Sequence, residues 1–238
     1  MEVNPMILKL SGELIPDDWA EIYREFNINS GYFCASDIRS AIESLPEGEE
    51  LVLEVNSVGG SVDSAAEIYS MLEACKNPTR AVIQSLAASA ASYCILAADR
   101  VEITLPAQMM IHCASLGSFG NKDQLRHDAQ VLEATDASIL DVYCRKCGDK
   151  ASREHLQELM EAETYLTATE CLELGLVDAI TGSGEEPKAT LLAASVMNNT
   201  VRAMRTLPDI GDLIAKKNAE TAQLDDQLKT EKSRYNND

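Results

Sequence analysis

Two side chains, Ser89 and His112, stand where a nucleophile and a base could act. Ser89 lies in a run of small residues, 86–92, after a predicted strand and at the start of a predicted helix. Such a serine gains from the helix dipole and from free N–H groups that can stabilise an oxyanion. His112 ends the apolar run 109–111, at the carboxyl edge where active sites of α/β sheets collect. Taken singly, a helix N-cap serine and a structural histidine remain the commoner roles.

A glycine pair adds a third feature. Residues 56–60 read Asn-Ser-Val-Gly-Gly and lie between a predicted strand and a predicted helix. Two glycines there allow backbone N–H groups to point into a cleft, although an ordinary tight turn accounts for them too. The segment lacks the Gly-Lys-Ser/Thr ending of a phosphate loop.

The other residues that could bind metals favour no further site. His127 and His155 fall inside predicted amphipathic helices, where exposed or capping roles are ordinary. The seven cysteines are odd in number and scattered, which indicates reduced thiols in a cytosolic protein. Cys144 and Cys147 form a lone C-x-x-C, and without a second pair at metal spacing they predict no zinc. We expect neither a metal nor a cofactor.

The elements that must position these residues alternate between strands and helices, which predicts an α/β layered core with mainly parallel pairing. A long amphipathic helix over 121–147 follows the alternating region. Thr167 and Glu170 have the spacing of a capping box. Strands are predicted at 6–10, 51–56, 81–83, 101–105, 108–111 and 164–166, and helices at 36–45, 62–75, 87–98, 121–147, 152–160 and from Thr167 onwards.

Composition predicts one domain with an appendage. Of the 238 residues 45% are hydrophobic, enough for a sizeable core. We predict a domain over 1–181, a linker over 182–188 and a charged, partly ordered helical tail over 189–238 that shows only a broken apolar stripe. A net charge of −19 would repel phosphate backbones and argues against nucleic acid. No apolar run suits a signal peptide or a membrane span, so we expect a cytoplasmic protein without membrane contacts.

Three motifs in order carry a family resemblance: Asn-Ser-x-Gly-Gly, Ala-Ala-Ser before an apolar helix, and Met-Ile-His after a strand. Over about residues 6–181 the chain resembles the proteolytic subunits of the Clp proteases. Segments 86–92 and 162–168 most resemble the head maturation (prohead) proteases of tailed bacteriophages.

The resemblance implies a spiral of strand–strand–helix units, shared with crotonases, with a long handle helix and a C-terminal helical arm. It implies a serine endopeptidase in which Ser89 is the nucleophile, His112 the general base and Glu163 the acidic third member. The N–H groups of Gly60 and Ala90 would form the oxyanion hole, and the reaction would pass through an acyl-enzyme.

The sequence departs from the family pattern in three places. Glu163 stands where the bacterial enzymes usually have aspartate, and Glu161 is the alternative third member. Val58 replaces a usual proline in the glycine segment, and Ser85 a usual glycine before the nucleophile run.

The phage resemblance implies processing of scaffold and capsid proteins by homo-oligomeric rings, in the host cytoplasm or inside the procapsid. The charged tail favours this interpretation. The alternatives are a housekeeping Clp-type peptidase that works with an ATP-driven unfoldase, a crotonase-fold acyl-CoA enzyme, and a degenerate subunit that serves as scaffold.

Overall fold

One sheet forms the centre of the structure, a computed structural model that describes residues 5–181 and 207–219. Within these residues the sheet has eight strands: β1 (Met6–Leu14), β2 (Tyr32–Phe33), β3 (Leu51–Gly60), β4 (Thr79–Ala88), β5 (Arg100–Thr104), β6 (Gln108–Ile111), β7 (Thr164–Thr167) and β8 (Ala179–Thr181).

Helices connect the strands. In the described part of the chain they are α1 (Asp17–Glu25), α2 (Ala35–Ser44), α3 (Val62–Ala74), α4 (Ala90–Cys94), α5 (Lys122–Cys147), α6 (Arg153–Glu161), α7 (Ala168–Leu174) and α8 (210–219). None of these helices is long and apolar enough to cross a bilayer.

The strand order is β2-β1-β3-β4-β5-β8, with β6 beside the end of β4 and β7 beside β6. Among the described strands only β6 and β7 pair antiparallel. The predicted α/β class with mainly parallel pairing and a long helix is therefore confirmed.

The two faces of the sheet differ because side chains alternate along each strand. Leu51, Leu53 and Val55 of β3 point into the main hydrophobic core. The opposite face carries charge, where the Arg80 guanidinium contacts Glu50 at 3.0 Å and Glu102 at 3.4 Å.

The predicted long helix is confirmed as α5, and its cap explains where it begins. The Asn121 side chain accepts hydrogen bonds from the N–H groups of Asp123 and Gln124, at 3.0 and 3.1 Å. Only the second half of α5 packs into the core, through Ile139 and Tyr143 among others. The capping box predicted at Thr167 is also present at the start of α7.

Strand β4 divides its pairing between two neighbours. Its first half pairs with β5, whereas Leu86–Ala88 pair with Gln108–Met110 of β6. Since β4 and β6 run parallel, the residues that follow them, Ser89 and His112, emerge side by side.

Some element predictions need correction. The predicted helix 87–98 starts too early, because Ala87 and Ala88 belong to β4 and pair with β6. Pairing with a partner strand overrides the helix propensity of alanine there. The predicted strand 51–56 is too short, since β3 continues through Gly60. The helix α1 and the short strands β2 and β8 were not predicted.

Part of the charged tail, 207–219, packs against the region of α1. Leu213 joins a buried cluster with Ile15 and Tyr23, and the Tyr23 hydroxyl donates to the Pro208 carbonyl at 2.9 Å. The predicted linker 182–188, and the rest of the tail, lie outside the described residues.

Candidate active site

Ser89 and His112 meet in a cleft at the ends of β4 and β6. The Ser89 Oγ lies 2.7 Å from the His112 Nε2. The Ser89 N–H donates to the Met110 carbonyl at 2.9 Å and so extends the ladder between the two strands. The strand pairing thus sets the separation of the two side chains.

The backbone at Ser89 has an unusual conformation, φ 54° and ψ −129°. Side chains other than glycine seldom adopt a positive φ, and holding one there costs about 1–3 kcal/mol. A sharp turn between strand and helix presents a nucleophile in the same way in α/β-hydrolases. The surrounding structure therefore holds the Ser89 side chain at the surface of the cleft.

The glycine segment approaches Ser89 closely. A Cβ on Gly59 would lie 2.6 Å from the Ala88 carbonyl oxygen and 2.7 Å from the Ser89 Cβ. A side chain on Gly60, whose φ is 144°, would overlap the Leu14 carbonyl. Both glycines are required by these approaches, which a tight turn alone would not explain.

Ser57, in the same motif, fixes this segment through hydrogen bonds of its side chain. Its buried hydroxyl donates to the Gly12 carbonyl at 2.6 Å and accepts from the Gly59 N–H at 3.0 Å. The hydroxyl therefore links β1 to the glycine that touches the nucleophile turn. The sequence pattern did not predict this role.

Two backbone groups are placed to receive negative charge. Gly60 and Ala90 both line the cleft beside Ser89 and His112. Ala90 is the first residue of α4, so its N–H has no acceptor within the helix. A substrate carbonyl held there would have a nucleophile on one side and N–H donors on the other, an arrangement suited to acyl transfer.

The whole cleft encloses about 360 Å³, including the space open to solvent, and Val62, Tyr93 and Tyr143 also line it. The polar ends of two tyrosines there are turned inward: Tyr93 donates to the Val62 carbonyl at 2.7 Å, and the Tyr143 hydroxyl lies 2.5 Å from the Ser92 Oγ. Burial raises the pKa of both phenols, so they stay neutral. The apolar stripe on α5 was the signal for Tyr143, but nothing in the pattern placed it in a cleft.

A family model of the Clp proteases matches residues 35–184. This chain belongs to the Clp protease family. The ATP-dependent Clp protease proteolytic subunit 1 of Chlamydia muridarum is 33% identical to it over 143 residues, 58% of this chain and 73% of the relative. The subunit of the same name from Protochlamydia amoebophila is 28% identical over 153 residues, 63% of this chain and 73% of the relative.

The resemblance drawn from three motifs is thereby confirmed at the level of the family. Clp proteases are serine-type peptidases, so membership implies a hydrolase. The match includes the glycine segment, the nucleophile run and the histidine strand, and it also covers the predicted acidic position.

Among the described residues, the two glutamates considered for the third position of the Clp protease triad make no hydrogen bond or ion pair with His112. Glu163 occupies an exposed turn before β7, with φ 51°. Its carboxylate makes no hydrogen bond or ion pair within the described ranges. Glu161, also exposed, accepts a hydrogen bond from Gln157 at 2.8 Å. The structure brings Ser89 and His112 together but joins neither glutamate to the imidazole.

The remaining histidines and the cysteines of this Clp protease do not line the cleft. His127 and His155 are exposed on α5 and α6. All seven cysteines are free thiols, and burial raises the pKa of Cys171 to about 12. A thiol with so high a pKa is protonated and packs as a small hydrophobe.

Proposed function

We propose that this chain cleaves peptide bonds as a serine endopeptidase, with Ser89 as nucleophile and His112 as general base. The 2.7 Å contact between the Ser89 Oγ and the His112 Nε2 carries the proposal. His112 takes the hydroxyl proton while the oxygen attacks the substrate carbonyl, and then gives that proton to the leaving amine. Water repeats the sequence on the acyl-enzyme and releases the second product.

The N–H groups of Gly60 and Ala90 would hold the oxyanion of each tetrahedral intermediate. Their position supports this role, because both line the cleft on which the Ser89 hydroxyl opens. A donor in an oxyanion hole contributes about 2.7–4 kcal/mol of transition-state stabilisation.

Labelling with a fluorophosphonate tests the nucleophile. The wild-type protein should be modified on Ser89 and should hydrolyse a fluorogenic peptide, and Ser89→Ala should lose labelling and at least ~10³-fold in kcat. Ser85→Ala, in the preceding strand, is the matched control and should keep both. Wild-type protein that resists the phosphonate, or Ser89→Ala that still cleaves the peptide, would overturn the proposal.

For the third member of the triad we propose Glu163, by its place in the Clp motif, with Glu161 as the alternative. Glu163→Gln and Glu161→Gln separate the two, since each removes one charge and little volume. We expect Glu163→Gln to lower kcat by ~10²-fold or more while Glu161→Gln remains near wild type. A low kcat for Glu161→Gln with near wild-type kcat for Glu163→Gln would assign the role to Glu161. Wild-type kcat in both variants would exclude both glutamates.

The biological setting we propose is phage head maturation, in which homo-oligomeric rings process scaffold and capsid proteins, in the host cytoplasm or inside the procapsid. Segments 86–92 and 162–168 support it by their resemblance to prohead proteases, as does the charged tail. The names of the similar chlamydial proteins favour a second candidate, a housekeeping Clp peptidase that works with an ATP-driven unfoldase. An acyl-CoA enzyme of the crotonase type needs no serine–histidine pair, whereas this cleft holds one.

Two assays distinguish the settings. Co-expression with capsid and scaffold precursors should yield processed fragments with wild type and none with Ser89→Ala. A folded reporter protein supplied with a bacterial Clp unfoldase and ATP should stay intact. Degradation of the reporter together with intact precursors would instead identify the housekeeping peptidase. Native mass spectrometry of the protein tests for rings, and a monomer would exclude them.

A further inference from the structure

Helix α5 contacts the nucleophile side of the site through a chain of hydrogen bonds. The Tyr143 hydroxyl lies 2.5 Å from the Ser92 Oγ, which in turn donates to the Ser89 carbonyl at 2.6 Å. Ser92 is fully buried and Tyr143 almost so. The turn that presents Ser89 is thus tied to the body of α5.

The same helix reaches the base side through Asp136. Its Oδ1 accepts a hydrogen bond from the Ala114 N–H at 2.6 Å, two residues beyond His112. Residues 112–119 have no regular secondary structure, and Ala114 and Ser115 line the cleft. A further side-chain hydrogen bond from α5 to this segment joins Asp128 to Ser118.

The spacing along α5 makes the two contacts part of one surface. Asp136, Ile139 and Tyr143 are three and four residues apart and so share a face of the helix. Ile139 and Tyr143 line the cleft. The pKa of the Cys113 thiol is raised, by burial first and then by the Asp136 charge, which places that carboxylate beside the residue that follows His112.

We propose that Asp136 is a positioning residue, whose carboxylate fixes the segment after His112 so that the imidazole stays within hydrogen-bond distance of Ser89. This inference rests on the proposed function of the Ser89–His112 pair. The Asp136 oxygen that accepts from the Ala114 N–H holds this part of the backbone in place, and an amide oxygen can accept the same bond. Losing it frees a segment that carries the base at one end, and misplacement of a catalytic group by 1 Å can cost ~10²-fold in rate.

Three variants test the inference. Asp136→Ala removes the acceptor, Asp136→Asn keeps an acceptor oxygen without the charge, and Asp141→Ala is the control on the same helix, where it loses only an exposed ion pair with Arg153. The readouts are kcat and KM on a fluorogenic peptide, the rate of phosphonate labelling at Ser89, and the melting temperature.

We expect Asp136→Ala to lower kcat and the labelling rate by ~10- to 10²-fold with a smaller change in KM. Asp136→Asn should recover activity to within ~3-fold of wild type, and Asp141→Ala should match wild type. Should Asp136→Ala melt below the assay temperature, Asp136→Glu, which displaces the carboxylate by one methylene, takes its place with the same expected loss.

Labelling of Asp136→Ala at the wild-type rate would overturn the inference. So would an Asp136→Asn variant as slow as Asp136→Ala, because the charge rather than the acceptor would then be required. Both results leave wild-type labelling intact and are distinct from failure of the proposed function, in which wild type itself is not labelled.

Discussion

At the scale of single residues, the backbone conformation of Ser89 lowers the stability of the fold while it keeps the side chain in the cleft. The residue holds a φ of 54°, which glycine adopts without cost and serine does not. Gly59 lies against the turn on one side, and the bond from Ser89 N–H to Met110 fixes the other. The turn therefore cannot relax to an ordinary conformation, and the side chain remains in the cleft at the expense of some folding free energy.

Replacing Ser89 by glycine and by alanine should reveal that cost. Both variants lack the proposed nucleophilic hydroxyl and its bond to His112, so they differ mainly in the Cβ. We expect Ser89→Gly to be more stable than Ser89→Ala by about 1 kcal/mol, seen as a melting temperature higher by about 2–4 °C. Equal melting temperatures would mean that the turn stores no strain.

At the scale of elements, the sequence predicts a boundary well where neighbouring residues set it and poorly where a distant strand sets it. Asn121 and Thr167 cap their own helices, so the starts of α5 and α7 could be predicted from the sequence. The end of β4 could not, because Ala87 and Ala88 form a strand only through pairing with β6. Ser89 and His112 could be chosen by motif, whereas their 2.7 Å contact depends on that same pairing.

Contacts between helices could not be predicted from the sequence either. Asp17, at the start of α1, accepts a hydrogen bond from the Ser36 N–H in α2 at 2.9 Å and faces Arg39 at 3.7 Å. Burial would raise the pKa of Asp17, but the bonds from Ser36, together with a bond from Cys34 and the Arg39 charge, outweigh it and hold the pKa below the ordinary 3.8. The carboxylate thus joins two helices, of which the first ends at Glu25 and the second begins at Ala35.

This shift predicts an acid-dependent contribution to stability. A carboxyl group with a lower pKa in the folded state stabilises the fold above its unfolded pKa, and the stabilisation is lost as the pH falls through the folded value. The stability advantage of wild type over Asp17→Asn, from urea unfolding, should shrink between about pH 6 and about pH 3. Asp18→Asn, at an exposed neighbouring position, is measured as the control, and a constant advantage for Asp17 would contradict the prediction.

At the scale of the whole molecule, the second described segment adds to the core of the first. The cluster around Leu213 includes Ile15, which directly follows β1, and Ala20 and Tyr23 of α1. Lys216 lies 5.6 Å from the centre of the Phe26 ring, and Lys217 pairs with Glu25. A broken apolar stripe in the tail did not predict such a contact, because the partner surface lies nearly 200 positions earlier in the chain.

A pair of neighbouring residues tests whether this contact stabilises the protein. Leu213 is 8% exposed and Ile214 is 42% exposed. Leu213→Ala should lower the free energy of unfolding by about 2–3 kcal/mol through lost burial and a cavity, and Ile214→Ala by less than about 1 kcal/mol. Peptidase activity of both folded variants should match wild type, since no residue of α8 lines the cleft. Equal losses of unfolding free energy for the two variants in denaturant titrations would show that α8 is not held against α1 in solution. A loss of peptidase activity with Leu213→Ala alone would mean that the contact supports the site through β1, whose last residue adjoins Gly60.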